Sequence, residues 1–273
     1  ISEHNPYFSD FIGNVLIAWS KASQRNKKES FNFLEKIPEP YLQLKKIQNI
    51  FLQCYFDNFQ TQKNFEELIS DEGYNFSRYK FFLINYLLMN NKTTEAKKLI
   101  KKTGDRYTSN ILIKQTEAFL LNDENQKIKN FFDCKNPKDN LAEFFYVLAN
   151  LYASDGNYKS SNFYMKISLF LNNKFKANNA LLAENYRNQK KNNISKDTYQ
   201  SLKSIGSEYS WYASKQISRI LLDVKGKKIS IDSLEKEFNS IKNKNYEHYY
   251  ELANFYKDNE YFEKSIKYYT LAL

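Results

Sequence analysis

The chain has 273 residues, 42% hydrophobic and 17% aromatic, so it carries enough apolar side chain for a substantial core, and wholesale disorder is excluded. Six Gly and four Pro are too few for the turns of an all-β fold. The 41 Lys and Arg against 31 Asp and Glu give a formal charge of +10, and no stretch approaches the roughly 18 apolar residues of a membrane-spanning helix.

Apolar residues recur with helical periodicity along the whole chain. The first block, "VLIAWSKASQRNKKESFNFL", places Ile17 and Ala18 thirteen and twelve residues before Ser30. Two degenerate blocks of the same kind are "LKKIQNIFLQCYFDNFQTQKNFEELI" and, further on, "NILIKQTEAFLLNDENQKIKNFF". Between them "FFLINYLLMNNKTTEAKKLI" sets Leu83 thirteen residues before Ala96. The clearest block runs from Leu148 to Asn173, "LANLYASDGNYKSSNFYMKISLFLNN". "LLAENYR" supplies Leu182, Ala183 and Tyr186 ahead of Ser195, and "QISRILL" supplies Ile217, Ser218 and Leu221. The last block, Leu252 to Leu273, rewrites the clearest one as "LANFYKDNEYFEKSIKYYTLAL". Leu148, Ala149, Asn150, Tyr152, Tyr158, Ser161 and Ser168 match Leu252, Ala253, Asn254, Tyr256, Phe262, Ser265 and Ala272.

The pattern predicts paired helices. A first helix carries Leu-Ala on its packing face. A polar turn follows, as in "SDGN" at 154–157, "KDNE" at 257–260 and "MNNK" at 89–92. A second helix then presents Ser161, Ser265 or Ala96, small side chains that let two helices approach closely. Aromatics such as Tyr152, Tyr158 and Tyr164 are expected to fill the space between neighbouring pairs. One pair cannot bury its apolar face alone, so stacking must supply the core.

These residues resemble the tetratricopeptide repeat, a helix–turn–helix unit of about 34 residues. The resemblance implies an all-α fold, a right-handed superhelical α-solenoid of stacked pairs. It implies a single solenoid over 1–273 of about eight repeats, degenerate over 1–141 and better matched over 142–273, with boundaries between 41 and 140 left open. Glu260 replaces Gly156 in the last copy, and Asn173 stands where the family closes a repeat with Pro. The Trp-containing copy "IAWSKASQRNKKESFNFL" and the junction "SLFLNNKFKANNALLAE" also resemble a group of alphaproteobacterial repeat proteins. That implies a bacterial protein, in periplasm or cytoplasm. The chain starts at Ile1 and stops inside a second helix, so it is expected to be trimmed or to continue in nature. Such an uncapped end would expose apolar surface and allow self-association.

In this family the inner faces of the first helices line a concave groove. The resemblance assigns to that groove Phe81, Asn85 and Leu88; Tyr146, Asn150 and Ala153; Ala180, Glu184 and Arg187; Lys215, Arg219 and Leu222; and Tyr250, Asn254 and Lys257. Four of the five charged groups in this set are cationic, which suits a protein or peptide partner with acidic character. The set of residues with which some family members hold a terminal carboxylate is not present, since Tyr146 and Tyr250 stand where its Lys should be.

Nothing in the chain spells out catalysis. His4 and His248 are read as surface or packing residues, and no metal-ligand spacing or Gly-rich phosphate loop is found; "DVKGKKIS" at 223–230 lacks the spacing. No cofactor is expected. Cys54 and Cys134 are too far apart in sequence for a metal motif and are read as small buried apolar side chains, not a disulfide framework. The expected function is therefore a non-catalytic scaffold that binds a protein segment in its groove. The alternative is a nucleic-acid-binding helical repeat that uses the basic surface. Against the alternative, groove positions do not repeat one residue type, and the basic runs "KKTGDR", "NQKKNN" and "VKGKK" fall in turns or at helix ends. An AT-rich coding bias also accounts for the abundance of Lys and Asn.

Overall fold

A computed structural model of the chain describes residues 6–71, 76–102 and 110–273. His4 and most of the basic run at 101–106 lie outside the described residues. Among those described there are sixteen α-helices and no β-strand, so the fold is all-α, as the periodicity requires. The chain divides into two compact units, Ile1–Asn185 and Tyr186–Leu273.

The N-terminal unit begins with α1 (Pro6–Ser23), α2 (Lys27–Glu35), a 3-10 turn (Glu39–Tyr41), α3 (Leu42–Tyr55) and α4 (Thr61–Ser70). It continues with α5 (Ser77–Met89), α6 (Thr93–Lys102), α7 (Ile111–Leu121) and the short α8 (Asn125–Lys129). Then come α9 (Pro137–Ser154), α10 (Tyr158–Leu171), a second 3-10 turn (Lys176–Asn178) and α11 (Asn179–Asn188), inside which the division falls. The C-terminal unit holds α12 (Asn192–Leu202), α13 (Ser207–Lys225), α14 (Lys227–Ser240), α15 (Tyr246–Asp258) and α16 (Phe262–Ala272).

The turns that join successive helices share one backbone device. Arg25, Asp57, Asn91, Asp123, Gly156, Lys190, Gly226 and Glu260 all lie at positive φ, between 55° and 87°. At Gly156 the N–H of the turn residue reaches Ala153 O and the next N–H reaches Tyr152 O; the same two bonds recur at Asn91, Asp123, Lys190 and Glu260. This left-handed cap satisfies carbonyls that the end of a helix would leave bare. The following Asn often caps the next helix in turn: Asn26 accepts from Glu29 N–H and Asn157 from Ser160 N–H.

Four or five residues after each turn residue comes a buried one: Ser30, Thr61, Ala96, Ile128, Ser161, Ser195, Ser230 or Ser265, none more than 3% exposed. In the C-terminal unit the reason is visible. Ser230 Oγ donates to Ser218 O at 2.6 Å, and Ser265 Oγ donates to Ala253 O at 3.0 Å. The second helix therefore lies against the backbone of the first, where a larger side chain would push it away. Behind these crossings Trp211, Ile231, Leu234, Phe238, Leu252, Phe255 and Tyr256 form one core cluster. Where bulky Ile128 takes the small position, the second helix is α8, of only five residues.

In a strictly linear stack each pair touches only its neighbours. The N-terminal unit does more: α9 packs on its partner α10 and also on α1 and α3. Phe144 meets Phe11 edge-on at 5.5 Å, and Tyr152 meets Phe8 at 6.0 Å. Rings from five parts of the chain fill the interior: Phe51 meets Phe65, Phe82 and Phe132, and Phe82 meets Phe132 and Phe175, with centroids 4.7 to 6.0 Å apart. Buried asparagines serve the irregular backbone: Asn85 donates to Ile128 O, Asn140 to Cys134 O and Asn172 to Phe131 O.

The reading of the two cysteines is corrected here. Cys54 at the end of α3 and Cys134 just before α9 form a disulfide, with Cα atoms 5.9 Å apart. Sequence separation says nothing about distance once α9 folds back over α3. Lys135 strengthens the same junction, donating to Cys54 O at 2.6 Å and pairing with Asp57.

Two expectations follow for stability. A Cβ on Gly156 would meet no atom within 4 Å, so Gly156→Ala should cost about 1 kcal/mol from backbone conformation alone, while Lys190→Gly should gain a comparable amount; urea denaturation measures both. The Cys54→Ser/Cys134→Ser variant should lose about 2–5 kcal/mol, and the oxidised protein should be 2 Da lighter than the reduced one by intact-mass spectrometry, about one hydrogen for each thiol consumed.

Candidate binding surface

The groove positions expected from the repeat divide into buried and accessible ones. Phe81 is fully buried, packed between Phe82 and Phe175, and Asn85 is spent on the Ile128 carbonyl. Leu88 is buried as well. Phe81 and Asn85 thus face the chain's own later segments. Tyr146 is half-buried beneath a guanidinium, whereas Asn150 and Glu184 are exposed and Ala153 and Ala180 intermediate.

The guanidinium over Tyr146 belongs to Arg78, at the start of α5. Its Nε and Nη2 donate to the two carboxylate oxygens of Glu143 on α9 at 2.8 and 2.7 Å, and Nη2 also donates to Asn178 Oδ1 at 2.8 Å. It stands 3.6 Å from the Tyr146 ring centre. Burial works to strip the proton from Arg78, but the charge and hydrogen bonds of Glu143, together with Tyr146 and Tyr79, outweigh it and hold the guanidinium above its ordinary value. Burial raises Glu143, and Arg78 offsets part of that. Burial likewise raises Tyr146. A forked, desolvated pair of this kind specifies geometry more than it adds stability. Its role here is to hold α9 against α5.

The C-terminal unit presents a different surface. On α15, Tyr246, Tyr250, Asn254 and Lys257 follow one another at helical spacing and form a stripe. Tyr246 is 64% and Tyr250 52% exposed. Tyr269 of α16 packs its ring 5.5 Å from that of Tyr250, and its hydroxyl donates to Asn254 Oδ1 at 2.6 Å. Beside the stripe, Glu251 accepts from Trp211 Nε1 and from Lys215 Nζ, both at 2.5 Å. Lys215 is therefore committed to an internal pair. Arg219 is exposed, and among the described residues Lys257 makes only a loose 3.9 Å ion pair, with its neighbour Asp258. Arg187 donates to Gln216 Oε1 at 3.1 Å. Leu222 is intermediate in exposure.

Gln216, Asp223, Glu251 and Tyr269 were missed by sequence reasoning, because they lie off the positions the repeat assigns to the groove. His248 is a packing residue, buried in a capping box with Asn245 and 5.6 Å from the Trp211 ring. In the N-terminal unit a cleft of about 260 Å³ between α3 and α4 is lined by apolar Ile50 and Leu68 as well as by Lys46, Gln53, Asn64 and Glu67. Among the described residues no group of His, Cys, Asp and Glu is arranged to hold a metal ion, and no helix is long and apolar enough to cross a membrane.

No family model matches the chain, and no curated protein matches it in sequence. A solved structure of a tetratricopeptide repeat protein from Parabacteroides merdae ATCC 43184 is similar at 12% identity and a TM-score of 0.35, over 97% of this chain and 92% of the other.

The buried pair yields a stability prediction. Glu143→Ala should destabilise by about 3–5 kcal/mol, because it strands a desolvated guanidinium. The double variant Arg78→Met/Glu143→Leu should recover most of the loss. Thermal melts of the three variants beside wild type would reveal a purely surface pair by a loss below about 1 kcal/mol.

Proposed function

We propose that the chain is a non-catalytic scaffold that holds a segment of another protein on the α13–α15 face of its C-terminal unit. The observation that carries this reading is the contrast between two sets of equivalent positions. Phe81 and Asn85 are covered by the chain itself, while Tyr250, Arg219 and Lys257 stand open to solvent. Exposed tyrosines beside uncommitted cations suit a partner that brings apolar side chains and some acidic character. Carboxylates interleave with the cations, Asp223, Glu251 and Asp258 among them, which disfavours a phosphate backbone as the ligand. The disulfide supports residence in an oxidising compartment. The narrower resemblance to alphaproteobacterial repeat proteins rests on the two quoted sequence stretches alone.

The test is affinity capture from the source organism, with and without nuclease, using wild type beside a Tyr246→Ser/Tyr250→Ser variant. Both side chains are exposed, so circular dichroism should show an unchanged fold. A nuclease-resistant protein should be retained by wild type and depleted about tenfold or more on the variant. Equal retention by both, or loss of the captured material to nuclease, would overturn the assignment.

A further inference from the structure

We propose that Arg187, Gln216 and Arg219 form a site for one carboxylate of the bound protein segment, and that Asp223 is an internal competitor for it. The inference rests on the scaffold reading and names the chemistry that reading left open.

The key atom is Gln216 Oε1. It accepts from Arg187 Nη1 at 3.1 Å and from Arg219 Nη1 at a longer 3.4 Å. One neutral oxygen thus draws two guanidinium groups together. Like charges so close repel unless an anion joins them. The carboxylate nearest to hand is Asp223, 4.0 Å from Arg187 Nη2 and at the limit of an ion pair. Its side chain is 58% exposed, against 31% for Arg187. Among the described residues Arg219 makes no ion pair at all. Lys215, a further cation of this face, is already held by Glu251.

Charge then selects the ligand. Two guanidinium groups and one carboxylate leave a single positive charge, which one incoming carboxylate neutralises. A phosphate dianion would overshoot it. Each guanidinium offers a planar fork that matches two carboxylate oxygens, and helix α13 carries Gln216, Arg219 and Asp223 at neighbouring helical positions. An exposed contact as loose as that of Asp223 is readily displaced. Asp223 therefore sets a threshold: it occupies Arg187 until a better-placed carboxylate arrives.

Acetate is a sufficient probe. The full chain, labelled with nitrogen-15, would be titrated with sodium acetate at constant ionic strength while the Nε–Hε resonances of Arg187 and Arg219 are followed by NMR. Sodium chloride and inorganic phosphate serve as comparisons. Both resonances should move together and saturate with acetate, and chloride should leave them in place. Asp223→Asn should bind acetate about three- to fivefold tighter, since it removes the competitor, and Arg219→Gln should weaken binding by about tenfold or abolish it. Backbone amide spectra show whether each variant is folded. Absent or chloride-like shifts, unchanged affinity in folded Asp223→Asn, or tighter binding of phosphate than acetate would overturn the proposal. The titration needs no protein partner, so its failure would leave the Tyr246/Tyr250 capture result standing, and a failed capture would leave the titration standing.

Discussion

Two helices can lie backbone to backbone only where neither offers a bulky side chain, and this constraint recurs throughout the chain. The hydroxyls of Ser230 and Ser265 reach the first helix's carbonyls directly, so the small residue both permits the approach and fastens it. The left-handed turn residue four or five positions earlier sets the register. It ends the first helix, satisfies its last carbonyls and aims the second helix back along it. A conformation that costs about 1 kcal/mol outside glycine is accepted at Arg25, Asn91 and Lys190, because each turn commits a whole helix pair to its packing.

Within the N-terminal unit the same pairs serve a second purpose. Helix α9 crosses the first helices of earlier pairs, and three linkages of different chemistry hold it there. Phe11 and Phe8 supply apolar contact, Arg78 and Glu143 a buried fork, and Cys54 and Cys134 a covalent bond. A face that packs the chain's own segments is covered, whereas the C-terminal unit leaves aromatic and cationic side chains of α13 and α15 in water.

The repeat was legible because close packing writes small residues at fixed intervals. Ser30, Ala96, Ser161, Ser195 and Ser265 stand out against long apolar and charged neighbours, and all are buried. Most of the turns were less legible. Gly156 announces its positive φ, but Arg25, Asp57 and Lys190 adopt the same conformation with side chains that give no signal. The α15 stripe was half legible. Tyr250, Asn254 and Lys257 follow from helical spacing, whereas Tyr269 and Gln216 enter only through contacts between helices.

Local periodicity, turn chemistry and small-residue spacing are properties of neighbouring residues, and they suffice for an all-α chain of helix pairs. The disulfide, the Arg78–Glu143 pair and the burial of Phe81 and Asn85 join residues 43 to 100 positions apart along the chain. No short-range pattern encodes such pairings, because which surfaces meet depends on how every intervening helix packs. The exposure of Tyr250 and the gathering of Arg187 and Arg219 on one amide oxygen are likewise products of packing. That is why the all-α architecture could be read from the residues in order, while the exposure of particular side chains emerged only from the folded chain.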